Sequence, residues 1–373
     1  MKGQWQGAFD GYSTGEVTIE IDDLGDHFSG RACVFQRAIG QLVFVAEFDT
    51  VDKKFDQYFH LPLQIQQVAD TSPVSRNDVV KNFPNIVFPD NVKLTLKLIG
   101  SGLKVNAITS FGTEEVGTLT AVLTKGSADK KSKLVPDKKV KSWEKFKSMV
   151  GNLPPNRYIF RGQSVLNRLR TSFHRTNRRN LHKLQSFDIP QMHGALTSQT
   201  RHYFDLRDNL QNAAFWNLLQ HHGYPTPLLD WTHSPYVAAY FAFREKSLSE
   251  DLEKRKVRVF MFDRAEWQRD YNQLYALSNV QPHFSLLNPI ALENPRALPQ
   301  QAICSITTVD DVESYLDKKG AAKSKTYLKA FDLSYTERTT VLEDLRLMGV
   351  TAGALFPGID GACEEMRLRN FAT

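Results

Sequence analysis

Short alternating runs recur along residues 1–124. They are Val17-Thr18-Ile19-Glu20-Ile21, Leu42-Val43-Phe44-Val45, Val92-Lys93-Leu94-Thr95-Leu96-Lys97-Leu98 and Gly117-Thr118-Leu119-Thr120-Ala121-Val122-Leu123. A period of two sends successive side chains to opposite faces, so each run predicts a strand with one face buried. Gly and Asp clusters at Asp22-Asp23-Leu24-Gly25-Asp26 and Ile99-Gly100-Ser101-Gly102 predict the turns between them. The expectation is a small antiparallel β sandwich or barrel over 1–124. No constellation of catalytic residues falls in it, so an accessory or recognition role is expected.

The pattern then changes. Residues 125–141, KGSADKKSKLVPDKKVK, are nearly without large apolar groups and predict a Lys-rich linker that cannot order itself. A helix is expected from Ser142, a partial cap, with Trp143, Phe146 and Val150 on one face. Tyr158-Ile159-Phe160-Arg161-Gly162 reads as a short strand. Residues 208–222 read as a helix, with Leu210, Ala213, Ala214 and Leu218 on one face and Gly223 as its stop. Leu228–Thr232 reads as a buried strand. Ser234 and Pro235 then open a helix that Val237, Ala238, Tyr240 and Phe241 carry into the core. Val257–Phe262 and Ala302–Ile306 read as strands, 337–348 as a helix, and Ala352–Phe356 as strand-like. The class of 142–373 is therefore α+β.

Length agrees with two domains, since 373 residues exceed one ordinary core. No run approaches the roughly 18 apolar residues of a membrane span, and the first residues lack a secretory h-region. Cys33, Cys304 and Cys363 are too widely spaced for a metal pattern or a disulfide framework; each reads as a small buried residue. A cytoplasmic location is expected, with no membrane partner. The net charge of +6 is unevenly placed. Segment 125–141 holds seven lysines and two aspartates, and 160–187 holds six arginines and one lysine with no acid. Basic stretches of this kind attract polyanions or steer anionic small molecules. The plainer alternative is a solvated linker and a solvated helix face.

Candidate chemistry concentrates in 220–242, where polar residues interrupt an apolar frame. Asp230 ends an apolar strand beside Trp231, and a carboxylate buried there needs a partner. Arg161, also at a strand end, is one candidate. The N-terminus of the helix opened by Ser234 is another, and it would also suit a phosphate. A purely structural Asp–Arg or Asp–cap contact explains the same residues. His221 and His222 point about 100° apart on a helix, so they do not converge on one ion and no metal site is expected. P-loop, GxGxxG, GxSxG and HExxH signatures are absent from the sequence.

Phe160-Arg161-Gly162-Gln163 together with residues 220–242 resembles the FRG domain family. Asn294-Pro295-Arg296 with Gln300-Gln301-Ala302-Ile303 adds to the resemblance, with Ala302 where the family usually has Gly. So does Leu355-Phe356-Pro357-Gly358-Ile359-Asp360-Gly361, with Gly358 at a position often acidic. The resemblance covers about 142–365. Separately, Gly3-Gln4-Trp5-Gln6-Gly7 weakly resembles the first strand of lipocalin-like barrels. The FRG family is similar in layout to ADP-ribosyltransferases. The resemblance implies that Arg161, with Gly162 and Gln163, holds the pyrophosphate of NAD. It implies that Thr232 or Ser234 contacts the ribose, and that His222 or Tyr240 stacks on or bonds the nicotinamide. It also implies a carboxylate on a third strand, where this chain carries Gln300 and Gln301. Gln301 can hold the ribose without supplying charge, so the charge is expected from Asp230 or Glu293.

Two readings follow. One is an NAD-dependent ADP-ribosyltransferase, a toxin or phage-defence effector, taking DNA or RNA as acceptor through 160–187. The other is a non-catalytic module that binds a nucleotide or nucleic acid, with the β domain recognising a protein partner.

Overall fold

A computed structural model describes residues 1–68, 72–245, 252–274 and 282–371. The first domain contains β1 (Gly3–Gly11), β2 (Gly15–Asp23), β3 (Phe28–Gln36), β4 (Leu42–Asp49), β5 (Asp56–Pro62) and β6 (Gln64–Gln67). After these come a short helix α1 (Arg76–Asn82), then β7 (Asn91–Ile99), β8 (Gly102–Phe111) and β9 (Glu114–Lys125). The nine strands form one antiparallel sheet in the order β5-β7-β8-β9-β1-β2-β3-β4-β6. Because β9 returns to pair with β1, with Phe9 opposite Ala121, the sheet curls into a nearly closed barrel rather than a sandwich. The alternation has its expected consequence in β2, whose Val17, Ile19 and Ile21 point inward with Trp5, Leu96, Leu103 and Leu123. Helix α1 was not legible in the sequence. It is short and mostly polar, and only Val79 packs inward, near Phe44 and Phe88.

Segment 125–141 has no helix or strand of its own beyond the last residue of β9, yet it does not hang free. Ser127 donates from its N–H (2.9 Å) and hydroxyl (3.3 Å) to Asp311. Ser132 Oγ donates to Glu313 (2.7 Å), and the Asp137 N–H donates to the carbonyl of Ala330 (2.9 Å). Too few apolar groups leave the segment unable to order itself, but an existing surface with fixed acceptors orders it from outside.

The second domain contains α2 (Trp143–Val150), β10 (Tyr158–Gln163), α3 (Leu181–Lys183), α4 (Ile189–Thr197), α5 (Asn209–His221), β11 (Leu228–Thr232) and α6 (Pro235–Phe243). It continues with β12 (Lys256–Asp263), α7 (Arg264–Asp270), β13 (Phe284–Leu287), β14 (Ala302–Thr307), α8 (Val312–Lys323) and β15 (Leu328–Ser334). It ends with α9 (Arg338–Leu347), α10 (Ala352–Leu355) and α11 (Ile359–Phe371). Among the described residues, six strands form an antiparallel sheet in the order β13-β14-β11-β10-β12-β15. Helices α2, α6, α9 and α10 build one core around Phe146, Phe160, Ala238, Phe243 and Phe331. On the other side, Trp231, Phe260, Phe262, Trp267, Phe284 and Leu316 form a second core with α7 and α8.

The expected caps are present: Ser142 accepts from Lys145 N and Ser234 from Val237 N. Asp208, not anticipated as a cap, accepts from Gln211 N at the start of α5. Gly223 has φ +81°, where a glycine is favoured after a helix end. Three expectations are corrected. Ala352–Leu355 is a helical turn, capped by Thr351, not a strand; its small residues carry no periodicity strong enough to decide. Leu210 is 57 % exposed, because the buried arc of α5 begins at Ala213. Cys363 is exposed on α11, unlike buried Cys33 and Cys304.

Candidate functional site

The central sheet is paired unevenly. Between β10 and β12 the register runs from Tyr158 opposite Asp263 to Gln163 opposite Arg258. Between β11 and β14 it runs from Leu228 opposite Ile306 to Thr232 opposite Ala302. Strands β10 and β11, however, pair only where Phe160 faces Thr232. Past that point the halves of the sheet part, and a cleft of about 620 Å³ lies along the gap. Diverging strands leave main-chain groups unpaired, which makes such a gap a natural ligand site.

Arg161 stands at the fork. Its Nη1 donates to the carbonyl of Asp230 (2.6 Å), a main-chain oxygen across the parted strands. The Asp230 carboxylate was the expected partner; the structure gives Arg161 the carbonyl instead. The Nε proton of Arg161 is buried and has no acceptor among the described residues. Burial draws the guanidinium below its ordinary pKa, against the charge of Asp230, and an arginine remains cationic under such a shift. Gly162 has a different duty. A Cβ there would lie 1.8 Å from the Ala238 carbonyl oxygen and 2.7 Å from Ala242 N, so the missing side chain is what lets α6 lie against β10. Gln163 faces the cleft and donates to the Asn167 carbonyl (3.0 Å).

Asp230 is exposed, not buried as its apolar neighbours suggested, because the strands separate at its position. Its Oδ2 accepts from Gln220 Nε2 (3.0 Å). Gln220 is in turn held by the hydroxyls of Ser172 (3.2 Å) and Thr226. Beneath Asp230 lies Cys304, whose thiol is 3.8 Å from Oδ1. Burial and the charge of Asp230 push that thiol pKa up, so it stays protonated and is no nucleophile.

The remaining expected site residues separate into two groups. Thr232 borders the cleft, but its hydroxyl donates to the Gln300 carbonyl (2.7 Å) and accepts from Ser234 N (3.0 Å). Ser234, His222, Tyr240, Gln301 and Glu293 are not in the cleft wall. Ser234 caps α6. His222 ends α5 in solvent, its ring edge-on to His221. Tyr240 is buried in the α6 core with its hydroxyl unpartnered among the described residues, and burial pushes its pKa up to about 12. Gln301 occupies the turn before β14 at φ +47° and is exposed, while Gln300 borders the cleft and donates to the Leu355 carbonyl (3.0 Å). The carboxylate of Glu293 turns away and accepts the N–H groups of Arg201 (2.8 Å) and His202 (3.0 Å).

In their place the fold brings in other groups. Asn217 and Asn294, each 6 % exposed, are bonded amide to amide in the cleft wall (2.7 Å). A polar residue amid the apolar run of α5 was the available signal for Asn217. His221 borders the cleft; burial, Arg296 and His222 lower its pKa to about 4, so it is neutral at pH 7. Arg175 and Arg296 line the cleft, and neither makes an ion pair among the described residues. Arg296 lies 5.3 Å from the centre of the Phe356 ring. Four other arginines of the basic run are neutralised by carboxylates outside it. Arg168 pairs with Asp311 (2.8 Å), Arg170 and Arg179 pair with Asp310 (2.5 and 3.0 Å), and Arg178 pairs with Asp22 and Asp188.

Residues 156–251 match the model of the FRG domain family. The chain carries an FRG domain. The match spans β10, α5, β11 and α6, the elements that form most of the cleft. No curated protein matches the chain. Among the described residues no helix is long and apolar enough to cross a membrane.

Proposed function

We propose that the cleft of the FRG domain binds NAD and that the domain transfers its ADP-ribosyl group. The observation that carries this reading is Arg161 at the fork of the sheet, which among the described residues has a buried N–H lacking an acceptor and no carboxylate paired to it. Arg175 and Arg296 make the same wall cationic, which suits a pyrophosphate. Neutral His221 and the Asn217–Asn294 amides offer hydrogen bonds without charge to an uncharged part of the ligand. Asp230 is an exposed carboxylate, without a cationic partner among the described residues and held in place by Gln220. In the reaction, the bond between nicotinamide and ribose C1′ breaks and its electron pair leaves with nicotinamide. Asp230 stabilises the positive charge that develops on the ribose, and the acceptor attacks C1′ and gives up a proton. Glu293 is engaged elsewhere, so Asp230 is the residue we assign to this role.

A second reading, binding without turnover, is favoured by the commitment of the Thr232 and Ser234 hydroxyls to the fold. A nucleic-acid acceptor draws less on segment 160–187 than its composition suggests, since four of its arginines are paired with carboxylates. The test is nicotinamide release from NAD alongside ADP-ribose binding. Arg161→Ala is expected to weaken ADP-ribose binding about 10- to 100-fold, the worth of a charge-assisted hydrogen bond. Asp230→Asn is expected to leave binding within about threefold while abolishing release. Binding that needs Arg161 with no release by the unmodified protein would establish the second reading.

A further inference from the structure

The cleft shares one of its segments with the barrel. Residues 168–180 supply Arg175 to the cleft wall, and the far end of that segment is held by Asp22 of the barrel. Asp22, at the end of β2, is fully buried. It accepts the main-chain N–H of Arg179 and that of Asn180 (2.9 Å), and Arg178 Nε approaches it at 3.4 Å. Its neighbour Asp23 donates its N–H to the Asn177 carbonyl (2.9 Å).

From Asp22 a continuous set of contacts leads back to the cleft. Arg179 Nε donates to Asp310 (3.0 Å), and Asp310 also holds Arg170 (2.9 Å). The main-chain carbonyl of Arg170 accepts from Arg175 Nη1 (2.8 Å). Gln4 of β1 secures Asp310 from the barrel side. It accepts the Asp310 N–H (3.1 Å) and donates to the Thr308 carbonyl (2.7 Å). A long arginine side chain loses substantial rotamer freedom when an anion holds it, so fixing it beforehand lowers that cost.

We propose that Asp22 is a positioning residue for Arg175, and that the barrel thereby forms part of the anion-binding wall of the FRG cleft. This rests on the reading that the cleft takes an anionic nucleotide, and the test separates the two. In the full chain, binding of ADP-ribose and of inorganic pyrophosphate is measured by calorimetry. The proteins are the unmodified chain, Asp22→Ala, Arg175→Ala, Arg161→Ala and the two pairs containing Asp22→Ala. Asp22→Ala is expected to weaken binding about 3- to 10-fold in the unmodified and Arg161→Ala backgrounds, and less than twofold in Arg175→Ala. That selective coupling is not produced by general destabilisation. An equal loss in all three backgrounds, or no loss in any, overturns the proposal. If Asp22→Ala does not fold, Asp22→Asn serves. It keeps one acceptor for the N–H groups and is expected to show the same selectivity at about half the logarithmic size. Coupling seen with pyrophosphate but no binding of ADP-ribose would retain the positioning role and discard the nucleotide reading. If the unmodified chain binds neither anion, both fall.

Discussion

Gly162→Ala is the sharpest perturbation of the cleft that leaves every polar group in place. The added Cβ would lie 1.8 Å from the Ala238 oxygen, 2.7 Å from Ala242 N and 2.9 Å from the Ala238 carbonyl carbon. All three are main-chain atoms of α6, so no side chain can swing aside. An ordinary C···O contact is about 3.3 Å, so α6 must retreat by about 1.5 Å. That helix buries Val237, Ala238, Ala239, Ala242 and Phe243, and even a 1 Å gap forfeits up to about half of a contact's attraction. The cost belongs at the upper end for overpacking, about 3 kcal/mol. At about 2–4 °C per kcal/mol for a domain of this size, the melting temperature falls by about 6–12 °C. Thermal and urea unfolding measure it, with Gly194→Ala as the contrast. Gly194 lies in α4 with nothing within 4 Å of an added Cβ, so alanine there should stabilise by about 0.5–1 kcal/mol. A Gly162→Ala protein as stable as the unmodified chain would falsify the close-packing argument. Because Arg161 precedes the glycine, ADP-ribose affinity should fall with stability.

Three further outcomes follow from buried polar groups. Arg168 and Asp311 are both nearly inaccessible, so Arg168→Ala strands a buried carboxylate and should cost about 3–5 kcal/mol by urea titration. Glu20 is half-buried beside Gln4, and burial raises its pKa to about 7, against that hydrogen bond and the charge of Arg31. A carboxyl raised in this way contributes stability that is fully present below its unfolded pKa near 4.5 and is lost as pH rises through about 7. His174, lowered by burial to about 4, acts in the opposite sense, losing its contribution as pH falls from about 6.5 to 4. The difference between the unmodified chain and Glu20→Gln isolates the first effect. It should slope downward from pH 5 to 8, and a flat difference would refute the assignment. Asn217→Leu removes the acceptor for Asn294 Nδ2 and should cost about 1–3 kcal/mol, read by denaturant midpoint.

Local patterns were legible where local physics decides. Alternation located four of the nine barrel strands, β2, β4, β7 and β9, and Ser142 and Ser234 marked helix starts because an N-cap bond spans only three residues. The strand Leu228–Thr232 was bounded correctly, with the Ser234 cap following it. Where propensity was weak, the reading failed. Ala352–Leu355 carries too little side chain to express a period, and α1 is too polar to show one.

The sequence by itself determined the mixed class, the barrel-like first sheet and the FRG elements. Those depend on residues near one another in the chain. Only the tertiary structure decided which polar groups face the cleft. Asp230 is exposed because β10 and β11 separate at that point, a fact of strand pairing between distant segments. Glu293 is excluded because its carboxylate turns to the N–H groups of Arg201 and His202, and Gln301 because the turn before β14 leaves it in solvent. Most of the basic run is spent on Asp22, Asp310 and Asp311, carboxylates more than 130 residues away in sequence. A charge count along the chain cannot find such pairs, because Coulomb attraction depends on distance in space and not on separation along the backbone.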